Sequence, residues 1–208
     1  MLGTQIGTIM NKNNILIFDD LFPDFLQAQV EAVIPHLPLR FGHRGLGYDQ
    51  GYRTFSEQWT REVQHGIEVS HTNFLADMPW ELKSMWTVVH HAKTKLFKKL
   101  TEDLQLNQVQ INLSTEEHFG GKHTDAPDDS ELIENDPNWL PSHTLVYFVQ
   151  GDTGMQFWNK DEIFHSIDFK KGRCVVFPSS YLHEGLPPKK LSPRVTIGFI
   201  FNGLPLQS

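Results

Sequence analysis

The amino-acid sequence contains only one cysteine, Cys174, among its 208 residues. An internal disulfide is therefore impossible, and the fold must be held together by its apolar core. This cysteine content fits a reducing compartment. Long apolar runs are lacking too, since the longest one near the N-terminus, residues 15–18, is only strand-sized. A signal peptide or membrane helix needs a longer run, so we expect a soluble, cytoplasmic protein without a membrane partner.

Positive charge is also scarce, with 18 Lys and Arg against 25 Asp and Glu and a formal net charge of −7. Nucleic-acid binding depends on clustered Lys and Arg that neutralise phosphates, so a nucleic-acid partner is disfavoured. No internal repeat is visible, and the length suits one domain with one core. We therefore predict a single domain over residues 1–208 that takes a small-molecule, peptide or protein substrate. No sequence feature fixes an oligomeric state.

The N-terminal half, residues 12–104, is predicted to supply helical support and rim loops after a flexible segment at residues 1–11. One helix opens at Pro23-Asp24, and a second covers residues 79–100, where apolar residues recur at three- and four-residue steps. Residues 38–80 lie between the helices and are rich in glycine and aromatics. Such a composition suits loops and short strands packed against a pocket rim, or irregular structure that fills core gaps.

Residues 105–201 are predicted to form a β core. Short runs rich in β-branched and aromatic residues alternate there with turn signals. We predict strands near residues 107–114, 143–150, 154–158, 163–168, 173–177 and 194–201. Closely spaced strands without intervening helices pair antiparallel in a sandwich or barrel. The fold class is thus α+β and mainly β, an antiparallel core braced by the N-terminal helices.

Two histidines and one aspartate in this β half have the spacing of a metal site. His123 and Asp125 are two residues apart, so in an extended segment their side chains point the same way. His183 follows the predicted strand 173–177, and a neighbouring strand can deliver it to the same point. Two neutral imidazoles and one carboxylate occupy one face of an octahedron, the arrangement of non-haem Fe(II) oxygenases. A chance pair is the alternative, because the chain has eleven histidines.

Arg194 strengthens the metal-site interpretation, because it lies in a segment that is otherwise apolar on both sides. A guanidinium among core residues is costly unless an anion pairs with it. Its planar fork matches a carboxylate, and Thr196, two residues on, can add a hydroxyl donor from the same side. The alternative is that Arg194 pairs with an internal Asp or Glu or faces solvent.

These elements together resemble the signature of the Fe(II)/2-oxoglutarate oxygenases, most closely the prolyl-hydroxylase-like branch. They are similar to the HxD, distal histidine and RxS/T motifs of that family at His123-Thr124-Asp125, His183-Glu184-Gly185 and Arg194-Val195-Thr196. Residues 171–178, just before the distal histidine, look like the glycine turn and strand of the family. The resemblance covers about residues 105–201 and does not specify a substrate.

The resemblance implies a double-stranded β-helix, or jelly-roll barrel, with residues 105–201 as the catalytic core. His123, Asp125 and His183 would hold Fe(II) as the catalytic metal centre, and Arg194 with Thr196 would bind the distal carboxylate of 2-oxoglutarate. O2 would take the remaining metal position. The implied reaction is a hydroxylation: 2-oxoglutarate is decarboxylated to succinate while a substrate C–H bond is oxidised.

Tyr147 and Asn112 are weaker candidates for binding the co-substrate. Tyr147 lies on the predicted strand 143–150 and can point its hydroxyl at 2-oxoglutarate, and Asn112 can do the same from the strand before the HxD motif. Either residue can equally be part of the core with its polar tip satisfied.

Residues 126–142 separate the HxD motif from the next strand and contain five Asp and Glu without any Lys or Arg. One hypothesis makes this segment a lid that favours a cationic or peptide substrate, and a merely solvated loop is the alternative.

Two other functions remain open from the sequence. One is a cupin-like metal enzyme that does not use 2-oxoglutarate, which would leave Arg194 without a purpose. The other is a non-catalytic metal-binding sensor module, against which the presence of all three ligands speaks. For the main hypothesis, an amino-acid residue such as proline is one candidate substrate.

Overall fold

The computed structural model describes residues 11–43, 54–60, 63–64, 67–68, 78–91, 105–117, 121–126, 143–189 and 192–202. The helices are α1 (Asp24–Val33) and α2 (Trp80–His91), with short 3-10 turns at Lys12–Asn14 and Ile34–His36. The strands are β1 (Leu16–Phe18), β2 (Arg40–His43), β3 (Thr54–Thr60), β4 (Val63–Gln64), β5 (Ile67–Glu68), β6 (Gln105–Ser114), β7 (His143–Gln150), β8 (Met155–Asn159), β9 (Glu162–Ile167), β10 (Cys174–Pro178), β11 (His183–Gly185) and β12 (Arg194–Asn202).

Two antiparallel sheets define the architecture. The major sheet has seven strands in the order β1-β10-β7-β12-β6-β3-β2, and the minor sheet has three in the order β11-β8-β9. β4 and β5 form a separate two-stranded hairpin. Neighbours in the major sheet are distant in sequence, as β12 lies between β6 and β7. This is the strand arrangement of a jelly roll, so the predicted β fold class is confirmed.

The helices cover one face of the major sheet. α1 begins at Asp24 after Pro23, whose fixed backbone suits a helix start, and α2 begins directly after Pro79. α1 buries Leu26 and Val30, while α2 buries Leu82, Met85 and Val89 against the sheet. Burying each such side chain contributes roughly 1.5–3 kcal/mol. The helices therefore fix the sheet from behind and leave its other face for the site.

The opposite face of the major sheet packs against the minor sheet over β10 and β7. A second apolar cluster lies there and consists of Ile15, Phe148, Met155, Phe157, Ile167, Val175, Phe177 and Tyr181. We call this face of the major sheet the site face, because it carries the candidate functional residues described below.

The predicted β core agrees closely with the structure. All six strands predicted over residues 105–201 are present, each with its ends within two residues of the prediction. β11 was not predicted, because three residues are too few to show alternation. In residues 38–80, β3 pairs with β6 and extends the major sheet, so this stretch contributes to the sheet itself as well as to its surroundings.

Several sequence predictions concern residues beyond those described. They are the flexible segment as far as residue 10, residues 92–100 of the second predicted helix, and residues 127–142 of the acidic segment. Among the described residues, no helix combines the length and apolar content that crossing a bilayer requires.

Candidate metal and co-substrate site

His123, Asp125 and His183 converge at one end of the site face. One ligand atom from each lies within 4.8 Å of the others. Nε2 of His123 lies 3.6 Å from Oδ1 of Asp125, and Nε2 of His183 lies 3.6 Å from Oδ2 of the same carboxylate. Three ligand atoms at such spacing can surround a single cation, as the sequence spacing predicts.

Backbone hydrogen bonds bring these distant residues together. His123 and His183 form an isolated antiparallel bridge in which each backbone N–H donates to the carbonyl of the other, both at 2.9 Å. The backbone N–H of Asp125 donates to the Ser179 carbonyl at 2.9 Å. The bridge places the imidazoles side by side, with ring centroids 4.4 Å apart. The metal-site geometry thus depends on the backbone pairing between the segment 121–126 and β11.

Both imidazoles present the same nitrogen to the cation position. Nδ1 of His123 lies 2.8 Å from the Gly121 carbonyl oxygen, and Nδ1 of His183 lies 2.9 Å from that of Tyr181. A carbonyl only accepts, so each Nδ1 carries the hydrogen and donates it. With Nδ1 occupied in this way, Nε2 of each ring faces Asp125 and is the nitrogen available to bind a metal.

His183 is also kept neutral by its surroundings. It is buried against Phe157 and Phe177, and this burial lowers its pKa to about 4 against the opposing effect of Asp125. An imidazole with such a pKa is uncharged at physiological pH and does not have to lose a proton before it binds a cation.

The Thr144 hydroxyl holds the Asp125 carboxylate, and the Ser179 hydroxyl contacts Thr144 in turn. Thr144, on β7, donates to Oδ2 of Asp125 at 2.7 Å, and its oxygen lies 3.0 Å from the hydroxyl oxygen of Ser179. Thr144 and Ser179 are buried, so bulk water does not compete for the hydrogen bonds of their hydroxyls. Neither residue is predictable from the sequence, because both are ordinary polar residues whose role depends on how the segment 121–126 packs.

Arg194 lies buried at the start of β12, with 5% of its surface exposed. Its Nε donates to the Thr153 carbonyl at 3.2 Å, and its guanidinium carbon lies 5.5 Å from the centre of the Phe148 ring. No acidic side chain forms an ion pair with it among the described residues. Burial lowers its pKa to about 10, so the group remains charged at neutral pH.

Gly185 makes room for the Arg194 guanidinium beside the metal ligands. A Cβ built on Gly185 would lie 2.6 Å from Nη1 of Arg194, so a side chain there would displace the guanidinium. Gly185 follows His183 by two positions on β11, a separation of roughly 7 Å along a strand. The two ends of a short dicarboxylate can therefore reach the cation position and the guanidinium together.

Thr196 and Asn112 lie on the site face with Arg194, as predicted. Thr196 follows Arg194 by two positions on β12, and Asn112 pairs with Thr196 across β6. Their side chains stand on the face opposite to Ile197 and Ile111, which pack toward the helices. Their contact with the co-substrate stays a prediction.

Tyr147 corrects the sequence-based assignment, because its hydroxyl does not face the site. It lies in the core beneath the helices, edge-on to Phe22, and donates to Oε1 of Gln27 on α1 at 3.2 Å. Burial in the same environment raises the pKa of its hydroxyl well above the ordinary value. Alternation along β7 explains the placement, since Thr144 and Phe148 on the site face leave Tyr147 on the other face.

No protein-family model matches the chain, and no curated protein matches it either. Solved structures do match. An oxidoreductase of the 2OG-Fe(II) oxygenase family from Burkholderia pseudomallei shares 15% identity, covers 95% of this chain and 90% of its own, and superposes with a TM-score of 0.62.

Two further structures have bound ligands. A prolyl hydroxylase from Trichoplax adhaerens, in complex with a hypoxia inducible factor oxygen degradation domain peptide fragment, has 15% identity, coverage of 92% and 84%, and a TM-score of 0.56. The epimerase SnoN, in complex with Fe3+, alpha ketoglutarate and nogalamycin RO, has 11% identity, coverage of 91% and 78%, and a TM-score of 0.59.

The chain has the fold of the 2-oxoglutarate/Fe(II) oxygenases. The predicted jelly-roll fold is confirmed. The matches span more than nine tenths of the chain, so the structural similarity covers the helices as well as the β core. A hydroxylase and an epimerase share this fold, so the reaction has to be argued from the site itself.

Proposed function

We propose that this protein is a non-haem Fe(II) dioxygenase that uses 2-oxoglutarate and O2 to hydroxylate a substrate C–H bond. One observation carries the proposal: three ligand atoms of His123, Asp125 and His183 lie within 4.8 Å of one another, beside the buried guanidinium of Arg194. A metal site alone is common in jelly rolls, but a buried cation without an acidic partner in the described residues needs an anionic ligand.

The three side chains fit Fe(II). They offer two imidazole nitrogens and one carboxylate, which suit a divalent transition metal and leave positions open on its far side. The chain has one cysteine, and Cys174 is buried in the helix-facing core, so a thiolate does not compete for the metal. Thr144 and the two backbone carbonyls that accept from Nδ1 complete the second layer that orients the ligands.

The surroundings of Arg194 fit one carboxylate of 2-oxoglutarate. Among the described residues, the two terminal nitrogens of Arg194 have no hydrogen-bond acceptor, because the bond to Thr153 uses Nε. A fork of two N–H donors matches a carboxylate bidentately, and the low polarity around Phe148 strengthens the interaction. Thr196 adds a hydroxyl on the same face. This arrangement disfavours a cupin-like enzyme without 2-oxoglutarate.

When bound, iron would let O2 act as the oxidant: one oxygen atom would enter succinate as 2-oxoglutarate loses carbon dioxide, and the other would enter the substrate C–H bond. The chain itself contributes binding, orientation and exclusion of water. Phe157 and Phe177 shield His183 from solvent, while Arg194 holds the co-substrate so that its reacting end meets the metal. For the substrate we propose an amino-acid residue such as proline, in line with the peptide bound by the Trichoplax adhaerens hydroxylase.

The proposal can be tested by adding Fe(II) and then 2-oxoglutarate to the protein without oxygen. We expect a weak visible charge-transfer band that is lost in Asp125→Ala and weakened in Arg194→Leu. Arg173→Leu is the matched control, since Arg173 is an arginine that binds Asp19 away from the site. Admission of O2 should then yield succinate only in proteins that show the band.

Other outcomes would identify the rival functions. Metal binding without the band in the folded wild-type protein would favour a cupin-like enzyme. A band without succinate after O2 would favour a metal-binding sensor module. An unchanged band in Arg194→Leu would remove the co-substrate site from the proposal.

A further inference from the structure

The site face of the major sheet is divided into two chemically different halves. Over β10 and β7 it is apolar, and Val146, Phe148, Val175 and Phe177 pack in the cluster beneath the minor sheet. Apolar residues of the minor sheet, such as Phe157, cover this half. This half is therefore an ordinary core between two sheets.

Over β12 and β6 the same face is polar. From Arg194 toward the end of β12, the residues on this face are Thr196 and Gly198, followed by Ile200. Their register partners on β6 are Asn112, Gln110 and Gln108. None of these residues belongs to either apolar cluster. Apart from Arg194, the described residues of β12 and β6 place no charged side chain on this face.

The adjacent strand continues the pattern in its sequence. The register pairs Ser56 with Asn112, Gln58 with Gln110 and Thr60 with Gln108. Three successive partners of the β6 residues are thus uncharged polar types, whereas the intervening positions of β3 are Glu57 and the aromatics Phe55 and Trp59. By register and sequence, the uncharged polar positions therefore continue from β6 onto β3.

Side-chain amides on β6 form a chain with a direction, which we call the amide ladder (Gln108, Gln110 and Asn112). Gln108 donates through Nε2 to Oε1 of Gln110 at 3.0 Å, and Gln110 donates through Nε2 to Oδ1 of Asn112 at 2.7 Å. Each amide group can make about four hydrogen bonds. Within the described residues, the Asn112 nitrogen and the Gln108 oxygen take part in no side-chain hydrogen bond, so the ladder retains capacity at both ends.

Space adjoins the ladder at Gly198. Among the described residues, a Cβ built on Gly198 would meet only the Gln110 carbonyl oxygen, at 3.9 Å. By contrast, Cβ positions built on Gly151, just after β7, and on Gly185, in the minor sheet, would press against Arg194. Within the part of the chain that the structure describes, the region is therefore filled around the guanidinium and has room for added atoms at Gly198.

The ladder lies within reach of the metal ligands. Thr144, which holds Asp125, and Gln108 both pair with Ile200, one from each side of β12. Two strand spacings separate them, which is roughly 10 Å. A group of a few carbon atoms can bridge this distance between the oxidised bond and the ladder.

We propose that Gln108 and Gln110 form a subsite for an uncharged, hydrogen-bonding part of the primary substrate, such as an amide or hydroxyl group. The inference rests on the proposed function and deepens it by naming the chemical class of the substrate. An apolar substrate would bury amide groups without partners, and sites built for hydrogen bonds reject such analogues by large factors. Apart from Arg194, which the co-substrate would occupy, the described residues of β12 and β6 offer a charged substrate no counter-charge.

The test is a succinate-formation assay with matched compound sets that differ at one end: neutral amides and polyols, ammonium analogues, carboxylates and alkyl analogues. It uses the wild-type protein, Gln110→Leu, Gln110→Glu and the control Gln156→Leu. Gln156 lies on β8 between the buried Met155 and Phe157, so its side chain is on the outer face of the minor sheet.

We expect neutral polar compounds to stimulate succinate formation in the wild-type protein. Gln110→Leu should raise their KM by about tenfold or more, equivalent to about 1.4 kcal/mol. Gln110→Glu should shift the preference toward ammonium analogues, and Gln156→Leu should behave as the wild-type protein does. Thermal unfolding of every variant separates a loss of binding from a loss of fold.

Two results would overturn the inference: stimulation by charged or alkyl compounds alone, or a KM for neutral polar compounds that Gln110→Leu leaves unchanged. A charge-transfer band without stimulation by any neutral polar compound would overturn it as well. The absence of the band in the wild-type protein would instead refute the proposed function, so the two failures are distinguishable.

Discussion

The Thr144 hydroxyl is the contact on which the orientation of the Asp125 carboxylate most depends, since its bond to Oδ2 is only 2.7 Å long. Removing it should let the carboxylate rotate and weaken metal binding. We expect Thr144→Val, which keeps the side-chain shape, to raise the Kd for Mn(II) or Fe(II) about tenfold or more. Anaerobic titration followed by calorimetry measures this change.

Thr144→Ser is the matched control, because it keeps the hydroxyl and should bind metal nearly as the wild-type protein does. Equal metal affinity in Thr144→Val and Thr144→Ser would contradict the positioning role.

Gly185 permits a second prediction, which separates the co-substrate from the metal. The methyl group in Gly185→Ala would come within 2.6 Å of Nη1 of Arg194 and force the guanidinium to move. We expect the affinity for 2-oxoglutarate, measured by the charge-transfer band, to fall about tenfold, or about 1.4 kcal/mol. Metal affinity measured in the same sample should stay within about twofold. An unaffected 2-oxoglutarate affinity would mean that the guanidinium is not the binding group.

At the residue scale, the sequence predicts groups that carry chemistry but not groups that support them. His123, Asp125, His183 and Arg194 belong to a spaced pattern whose chemistry is specific, and the structure brings them together. The assignment of Tyr147 to the co-substrate site was wrong. β7 carries apolar residues on both faces, so the sequence pattern does not show which face Tyr147 takes. The sequence alone does not identify Gln108 and Gln110 as candidate site residues, because their placement beside β12 depends on the strand register.

At the scale of elements, an ion-pair network ties β1 to the turn before β10. Asp19 follows β1 and accepts from Nε of Arg173 at 2.7 Å and from Nζ of Lys170 at 2.7 Å. These cations, Arg173 first, hold the pKa of the Asp19 carboxyl well below its ordinary value of 3.8. The carboxylate therefore stabilises the folded chain once it is ionised.

We expect Asp19→Asn to lower the free energy of unfolding by about 1 kcal/mol at neutral pH, a modest value because the network is partly exposed to solvent. Since the folded-state pKa is depressed, the contribution is complete above the unfolded-state pKa and declines as pH falls below about 4. Urea unfolding at pH 7 and pH 3 measures both values. A wild-type advantage that grows on acidification would contradict the assignment.

The strands were predictable because hydrophobic and β-branched runs between turn residues such as Gly172 mark them directly. Gly172 has a positive φ of 82°, which favours glycine at that turn. β11 was not predictable, because it owes its strand character to pairing with β8 and with the segment around His123. Non-local pairing of this kind leaves no pattern in a three-residue segment.

At the scale of the whole molecule, the two sheets serve different purposes. The major sheet carries Thr144, Arg194 and the amide ladder on one face. The minor sheet places His183 over that face and shields this imidazole from solvent. The site lies where the apolar half of the face meets the polar half. On the proposed function, this division would let one surface exclude water from the metal and still hold a polar substrate. The single-domain organisation and the acidic lid stay predictions.

A crystal structure grown without oxygen in the presence of Fe(II) and 2-oxoglutarate tests the central claim most directly. Anomalous scattering at the iron edge should show one metal ion, bonded to Nε2 of His123, a carboxylate oxygen of Asp125 and Nε2 of His183. One carboxylate of 2-oxoglutarate should lie within hydrogen-bond distance of the Arg194 guanidinium. Iron bound elsewhere, or Arg194 paired with an acidic side chain of the protein, would contradict the account.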